Sequence, residues 1–159
     1  MSDVSPSATL VALRRLLLGL LLFGLLGTAT ELLLMGHDED AWQMIPLVVL
    51  ALATIATLAI AISRNPAGIA RLFRVAMAFL IVSGGMGTVL HYRANMEFKL
   101  EMDPSMAGFA LFSSVMRAKA PPSLAPGNMA LLGLLGLACA FRLDSASSSS
   151  TLSKKESLA

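Results

Sequence analysis

The run LFRVAMAFLIVSGGMGTVLH occupies residues 72–91 and decides the fold. Between Arg74 and His91 it has no charged side chain, and its apolar residues surround a helix on every side instead of forming one stripe. A helix needs about 20 residues to cross about 30 Å of hydrocarbon. An apolar surface on all sides is typical of a helix in lipid. The run therefore predicts a transmembrane helix.

Three further apolar runs of this kind occur, at about residues 10–35, 46–62 and 126–141. The chain has 159 residues, of which 56% are apolar and 14% charged, whereas a soluble domain is about 45–50% apolar and about 25% charged. The mean hydropathy is +0.75. We therefore predict an all-α integral membrane protein, a four-helix transmembrane bundle at residues 1–143 with no separate soluble domain.

The basic residues predict the orientation of these spans. With four alternating spans, eight Lys and Arg residues fall on the side of both termini and four on the other side. The positive-inside rule makes the first side cytoplasmic, so we expect a multi-pass protein of the inner (plasma) membrane with both termini inside. The run 10–35 is open to a second interpretation as a cleaved signal peptide, because Arg14 and Arg15 precede its apolar core. The apolar residues continue past the small residues near Ala29, which favours a span.

Two segments are predicted to lie outside the membrane. Asp103 and Pro104 resemble a helix start, and apolar residues at helical spacing follow them, so we predict an amphipathic interfacial helix at about residues 104–119 between the third and fourth spans. Residues 144–159 are rich in serine and have too few apolar side chains for a core. We expect them to form a disordered cytoplasmic tail.

Both histidines, His37 and His91, are predicted at the outer ends of spans, among acidic residues. Imidazole and carboxylate groups are ligands that zinc, iron and manganese accept. If the two histidines share one ion, we expect their imidazoles to converge to within about 5 Å. A haem between the two rings is a weaker version of this hypothesis, because His37 falls in a predicted loop. The candidate metal ligands are His37, His91, Glu31, Glu39 and Glu97.

These residues also have an ordinary structural interpretation. The spacing matches no recognised metal motif. Arg93 and Glu97 are four residues apart on a helix, as ordinary solvated ion pairs are. Glu31 lies about one turn inside the first span, where it is either a proton or cation relay or a carboxylate that reaches the interface.

The segment 83–88, SGGMGT, is the most unusual feature inside a span. Small residues allow close approach of helices in membranes, and we expect Gly84, Gly85 and Gly87 to pack against another span. The alternative is an unwound substrate site.

The sequence has no phosphate-binding loop, nucleophile elbow or basic nucleic-acid patch. Its single cysteine, Cys139, excludes an intrachain disulfide. The leading hypothesis is a non-enzymatic accessory, assembly or structural subunit of a membrane complex, in contact with the lipid bilayer and with a partner protein or a second copy. The alternative is a metal- or haem-binding transport or redox protein with an outward-facing His/carboxylate site.

Overall fold

The computed structural model describes residues 6–37, 41–63, 66–118 and 124–141. Within these ranges the secondary structure consists of helices joined by short turns and contains no strand, which confirms the all-α prediction. The predicted tail at residues 144–159 lies outside them. The helices are α1 (Pro6–Leu34), α2 (Ala41–Ile62), α3 (Pro66–Met102), α4 (Gly108–Met116) and α5 (Leu124–Cys139).

Among the residues that the structure describes, three helices are long and apolar enough to cross a membrane. The qualifying segments are Thr9–Leu34 in α1, Ala41–Ile62 in α2 and Gly68–Met102 in α3. These three helices mark the chain as a membrane protein. The fourth apolar helix, α5, has 16 residues and is about 24 Å long.

Four of the helices contact one another in a ring. α1 packs against α2 and α5, and α3 packs against the same two helices, while α4 packs on α3. Leu21, Leu50 and Phe73 are completely buried inside the ring. The outside is apolar as well, since Phe23 and Leu34 are 78% and 83% exposed. An outer surface of this kind suits a hydrocarbon solvent and not water.

The helices α1, α2, α3 and α5 all begin before the predicted spans, and the largest differences are in α2 and α3. α2 begins at Ala41 and not near residue 46, so Pro46 lies inside it. α3 continues past His91 to Met102. The extension carries the charged side chains at which the predicted span ends. Charged residues end a segment that can lie in lipid, but they do not end a helix.

α3 ends at the residues that were predicted to start the next helix. A residue before proline disfavours helical geometry, so Asp103 stops α3. The hydroxyl and amide of Ser105 then donate to Oδ1 of Asp103 over 2.6 and 3.0 Å. Both bonds stabilise the charged form of the Asp103 carboxyl and hold its pKa below the usual value. The bond from the hydroxyl has the larger effect and the bond from the amide the smaller one.

The short helix α4 occupies part of the predicted interfacial segment at residues 104–119. It begins at Gly108, which has a positive φ of 56°, and it has nine residues. Because the Asp103–Ser105 turn takes up the beginning of the predicted segment, the helix is shorter than expected. Its aromatic side chains contact each other and α3, with 6.3 Å between the ring centres of Phe109 and Phe112 and 6.2 Å between those of Phe112 and Tyr92.

Candidate functional site

The end of α1 fixes the position of His37. The backbone N–H of His37 donates to the carbonyl of Leu32, and the N–H of Gly36 donates to the carbonyl of Leu33, over 3.0 and 3.1 Å. This pair of bonds is a Schellman motif, which requires a left-handed residue after the helix. Gly36 supplies that residue with a φ of 69°. The turn therefore holds His37 directly against the end of α1.

His37 and His91 form a pair. Their ring centres are 6.0 Å apart, more than the about 5 Å expected for a shared ion, and their ring planes are inclined by 32°. His91 belongs to α3, so the fold joins two imidazoles from distant parts of the sequence, and both are half-buried. We refer to this end of the helices as the outer end, after its predicted side.

The predicted carboxylate ligands are not assembled around this pair. Glu31 and Glu97 are exposed, and Glu39 lies outside the described residues. Within residues 6–37, 41–63, 66–118 and 124–141, no three His, Cys, Asp or Glu side chains are grouped to hold a metal ion. In the described chain the candidate site is thus two imidazoles, not the five-residue set.

The glycine segment of α3 faces α5, but not with all three glycines. A Cβ on Gly84 would meet the carbonyl oxygen of Pro126 and would lie 2.8 Å from the amide nitrogen of Ala130. A Cβ on Gly87 would lie 3.2 Å from the ring of Pro126. A Cβ on Gly85 would meet nothing within 4 Å. Gly84 and Gly87 therefore lie in the helix contact and Gly85 does not.

The opposite face of this contact contains a glycine that the sequence analysis missed. A Cβ on Gly133 of α5 would lie 2.6 Å from the carbonyl oxygen of Met77 and 3.2 Å from the amide nitrogen of Ile81. Gly133 stands three residues before Gly136, and residues at that spacing share a helix face. That spacing is the signal that could have identified it.

These contacts show that α5 runs antiparallel to α3. Its beginning, at Pro126, lies beside Gly87, and its end lies beside Arg74, whose Nη2 donates to the carbonyl of Ala140 over 3.2 Å. Carbonyls at a helix C-terminus have no partner within their helix. Arg74 therefore caps α5.

Several polar side chains among these helices form hydrogen bonds to other groups of the protein. The amide of Asn128 on α5 donates to the hydroxyl of Thr28 on α1 over 2.6 Å, which the sequence analysis did not anticipate. A single asparagine in an apolar run was the available signal, because such residues bond across membrane helices. Threonine hydroxyls donate to the carbonyls one turn earlier in three pairs: Thr54 to Leu50, Thr57 to Ala53 and Thr88 to Gly84.

Comparison with known proteins adds no further indication of function. No family model matches the chain, and no curated protein or solved structure matches it. The function is therefore argued from the residues and contacts of this chain.

Proposed function

We propose that the chain spans the inner membrane four times, with α5 as the fourth span. The charge-free parts of α1 and α3 are residues 16–30 and 75–90, which have 15 and 16 residues. At about 1.5 Å per residue, each covers about 23–24 Å. α5 has 16 residues and the same length. α5 therefore matches the apolar thickness of its two neighbours.

The residues at the ends of this layer support the same topology. Arg74 caps α5 at one boundary, and Arg14 lies close enough to Cys139 for an electrostatic interaction there. Long arginine side chains reach the headgroups from a position inside the boundary, which accommodates a layer thinner than about 30 Å. We place this boundary on the cytoplasmic side because the majority of the basic residues lie there.

Cysteine labelling tests the four-span topology. In a Cys139→Ala background, we expect an impermeant maleimide to label Ser105→Cys in intact cells and Ser150→Cys only after the cells are permeabilised. We expect this difference because α5 lies between the two positions, and a single crossing of the membrane places them on opposite sides. Labelling of both positions in intact cells would contradict the fourth span, and labelling of Ser150→Cys alone would contradict the orientation.

We infer that the protein is a non-enzymatic accessory, assembly or structural subunit of a membrane complex. The observation that supports this proposal is the use of the polar groups between the helices. Asn128 and four threonines, Thr28, Thr54, Thr57 and Thr88, bond within the protein, so these groups stabilise helices and helix contacts. These polar groups thereby serve the packing of the bundle.

Purification in a mild detergent tests the subunit proposal. We expect a tagged protein to elute with a partner protein or as a homo-oligomer, because a structural subunit acts through association in the bilayer. Two copies with different tags distinguish self-association from a partner, and an equally expressed, unrelated four-span protein serves as the control. Elution as a single chain, with no partner after cross-linking in intact membranes, would contradict the proposal.

A further inference from the structure

The histidine pair at the outer end has a geometry that suits a shared metal ion. If one nitrogen of each ring binds an ion at about 2.1 Å, the ion lies about 3.2 Å from each ring centre, and tetrahedral to linear arrangements place the centres about 5.2–6.4 Å apart. The observed separation of the centres of His37 and His91 is 6.0 Å. This separation lies between the two values, so a tetrahedral ion would need the rings to approach by about 0.8 Å.

The backbone positions of both histidines are fixed before any ion binds. His91 is within the continuous helix α3. His37 is fixed by the Schellman motif, whose two hydrogen bonds depend on the positive φ of Gly36. Ligands that are fixed in advance lose less conformational freedom on binding. This arrangement therefore binds an ion more favourably than two histidines that move independently would.

The chemistry of the pair selects the class of ion. Neutral imidazole nitrogen suits Zn²⁺, Cu²⁺ and Ni²⁺, whereas Ca²⁺ and Mg²⁺ prefer oxygen ligands. The described residues supply two ligands, so water completes the coordination and the ion exchanges more readily than in a closed four-ligand site.

We propose that His37 and His91 form an exchangeable site for a divalent first-row transition-metal ion that joins the end of α1 to α3. This inference goes beyond the proposed subunit function and does not depend on it. The bound ion stabilises the outer end of the protein, since a ligand that binds only the folded state raises its stability.

Zinc titration of the purified full chain, freed of metal with a chelator that is then removed, tests the site. We expect calorimetry to show one Zn²⁺ per wild-type chain. Loss of one ligand, in His37→Gln or His91→Gln, should weaken binding by at least about tenfold, because even outer-shell changes cost about 10–100-fold. The double variant should not bind. Glu31→Gln and Glu97→Gln are the controls and should bind Zn²⁺ as tightly as the wild type.

A backbone variant tests the positioning of His37 separately. Gly36→Ala keeps both imidazoles but disfavours the left-handed turn, whereas Gly36→Asn tolerates it. We expect weaker Zn²⁺ binding by the alanine variant and near wild-type binding by the asparagine variant. With Cu²⁺ as the probe, electron paramagnetic resonance should show two nitrogen ligands in the wild type.

Protection of the buried Cys139 from a thiol reagent establishes that each variant is folded. Equal Zn²⁺ binding by the folded wild type and the folded double variant would overturn the proposal. Absence of Zn²⁺ binding by the folded wild type would overturn it too.

Discussion

Gly84→Ala is expected to lower the free energy of unfolding in detergent by about 1–3 kcal/mol, the usual range for overpacking. The added Cβ would meet the carbonyl oxygen of Pro126 and the amide nitrogen of Ala130, and these backbone atoms move only with the whole of α5. Gly133→Ala should have a similar effect from the other side, since its Cβ would lie 2.6 Å from the carbonyl oxygen of Met77.

Gly85→Ala is the matched control, one residue away in the same helix. Its Cβ would meet nothing within 4 Å, and alanine favours a helix over glycine by about 1 kcal/mol, so we expect unchanged or slightly higher stability. Thermal unfolding can be followed with a thiol-reactive dye, because Cys139 is the only cysteine and is 5% exposed. The packing argument fails if Gly84→Ala and Gly85→Ala melt at the same temperature.

Arg74→Glu is expected to lower the free energy of unfolding by about 2–3 kcal/mol. The substitution removes the guanidinium that donates to the carbonyl of Ala140. It also places a negative charge at the C-terminus of α5, which is the negative end of the helix dipole. The same dye assay measures the effect directly, since Cys139 is the last residue of α5.

Arg71→Glu provides the control for charge. Arg71 is exposed and lies nearly one turn before Arg74 on α3, so its replacement changes the charge at this end of the helices by the same amount. Any effect on membrane orientation or headgroup attraction is therefore shared by the two variants. We expect Arg71→Glu to unfold close to the wild-type temperature. Equal destabilisation by both variants would show that general charge, and not the cap on α5, is responsible.

The sequence predicts the presence of the long helices better than their ends. An apolar run of about 20 residues has few alternatives to a membrane helix, and α1, α2 and α3 bear this out. The end of α3 was harder to predict, because aspartate followed by proline fits a helix start and also a helix stop. Asp103 and Pro104 end a helix if the residues before them are helical. The charged residues before Asp103 are helical, so Asp103 and Pro104 end α3.

The candidate site was predictable to a similar extent. The predicted topology placed His37 and His91 on one side of the membrane, but their separation depends on the turn at Gly36 and on how α1 and α3 are arranged. The glycine spacing likewise indicated a helix contact surface, but it did not indicate which of the glycines point toward the neighbouring helix. Successive residues on a helix point about 100° apart, so only the position of α5 separates Gly84 from Gly85.

The length of α3 has a mechanical consequence. Its 37 residues form one unbroken helix about 55 Å long, and the part beyond His91 projects about 16 Å further. Since no hinge interrupts it, a tilt of about 10° around its first turn would carry Met102 sideways by about 10 Å. α4 packs on this helix and would travel with it. Any rigid tilt of α3 would therefore be largest at the end that carries α4.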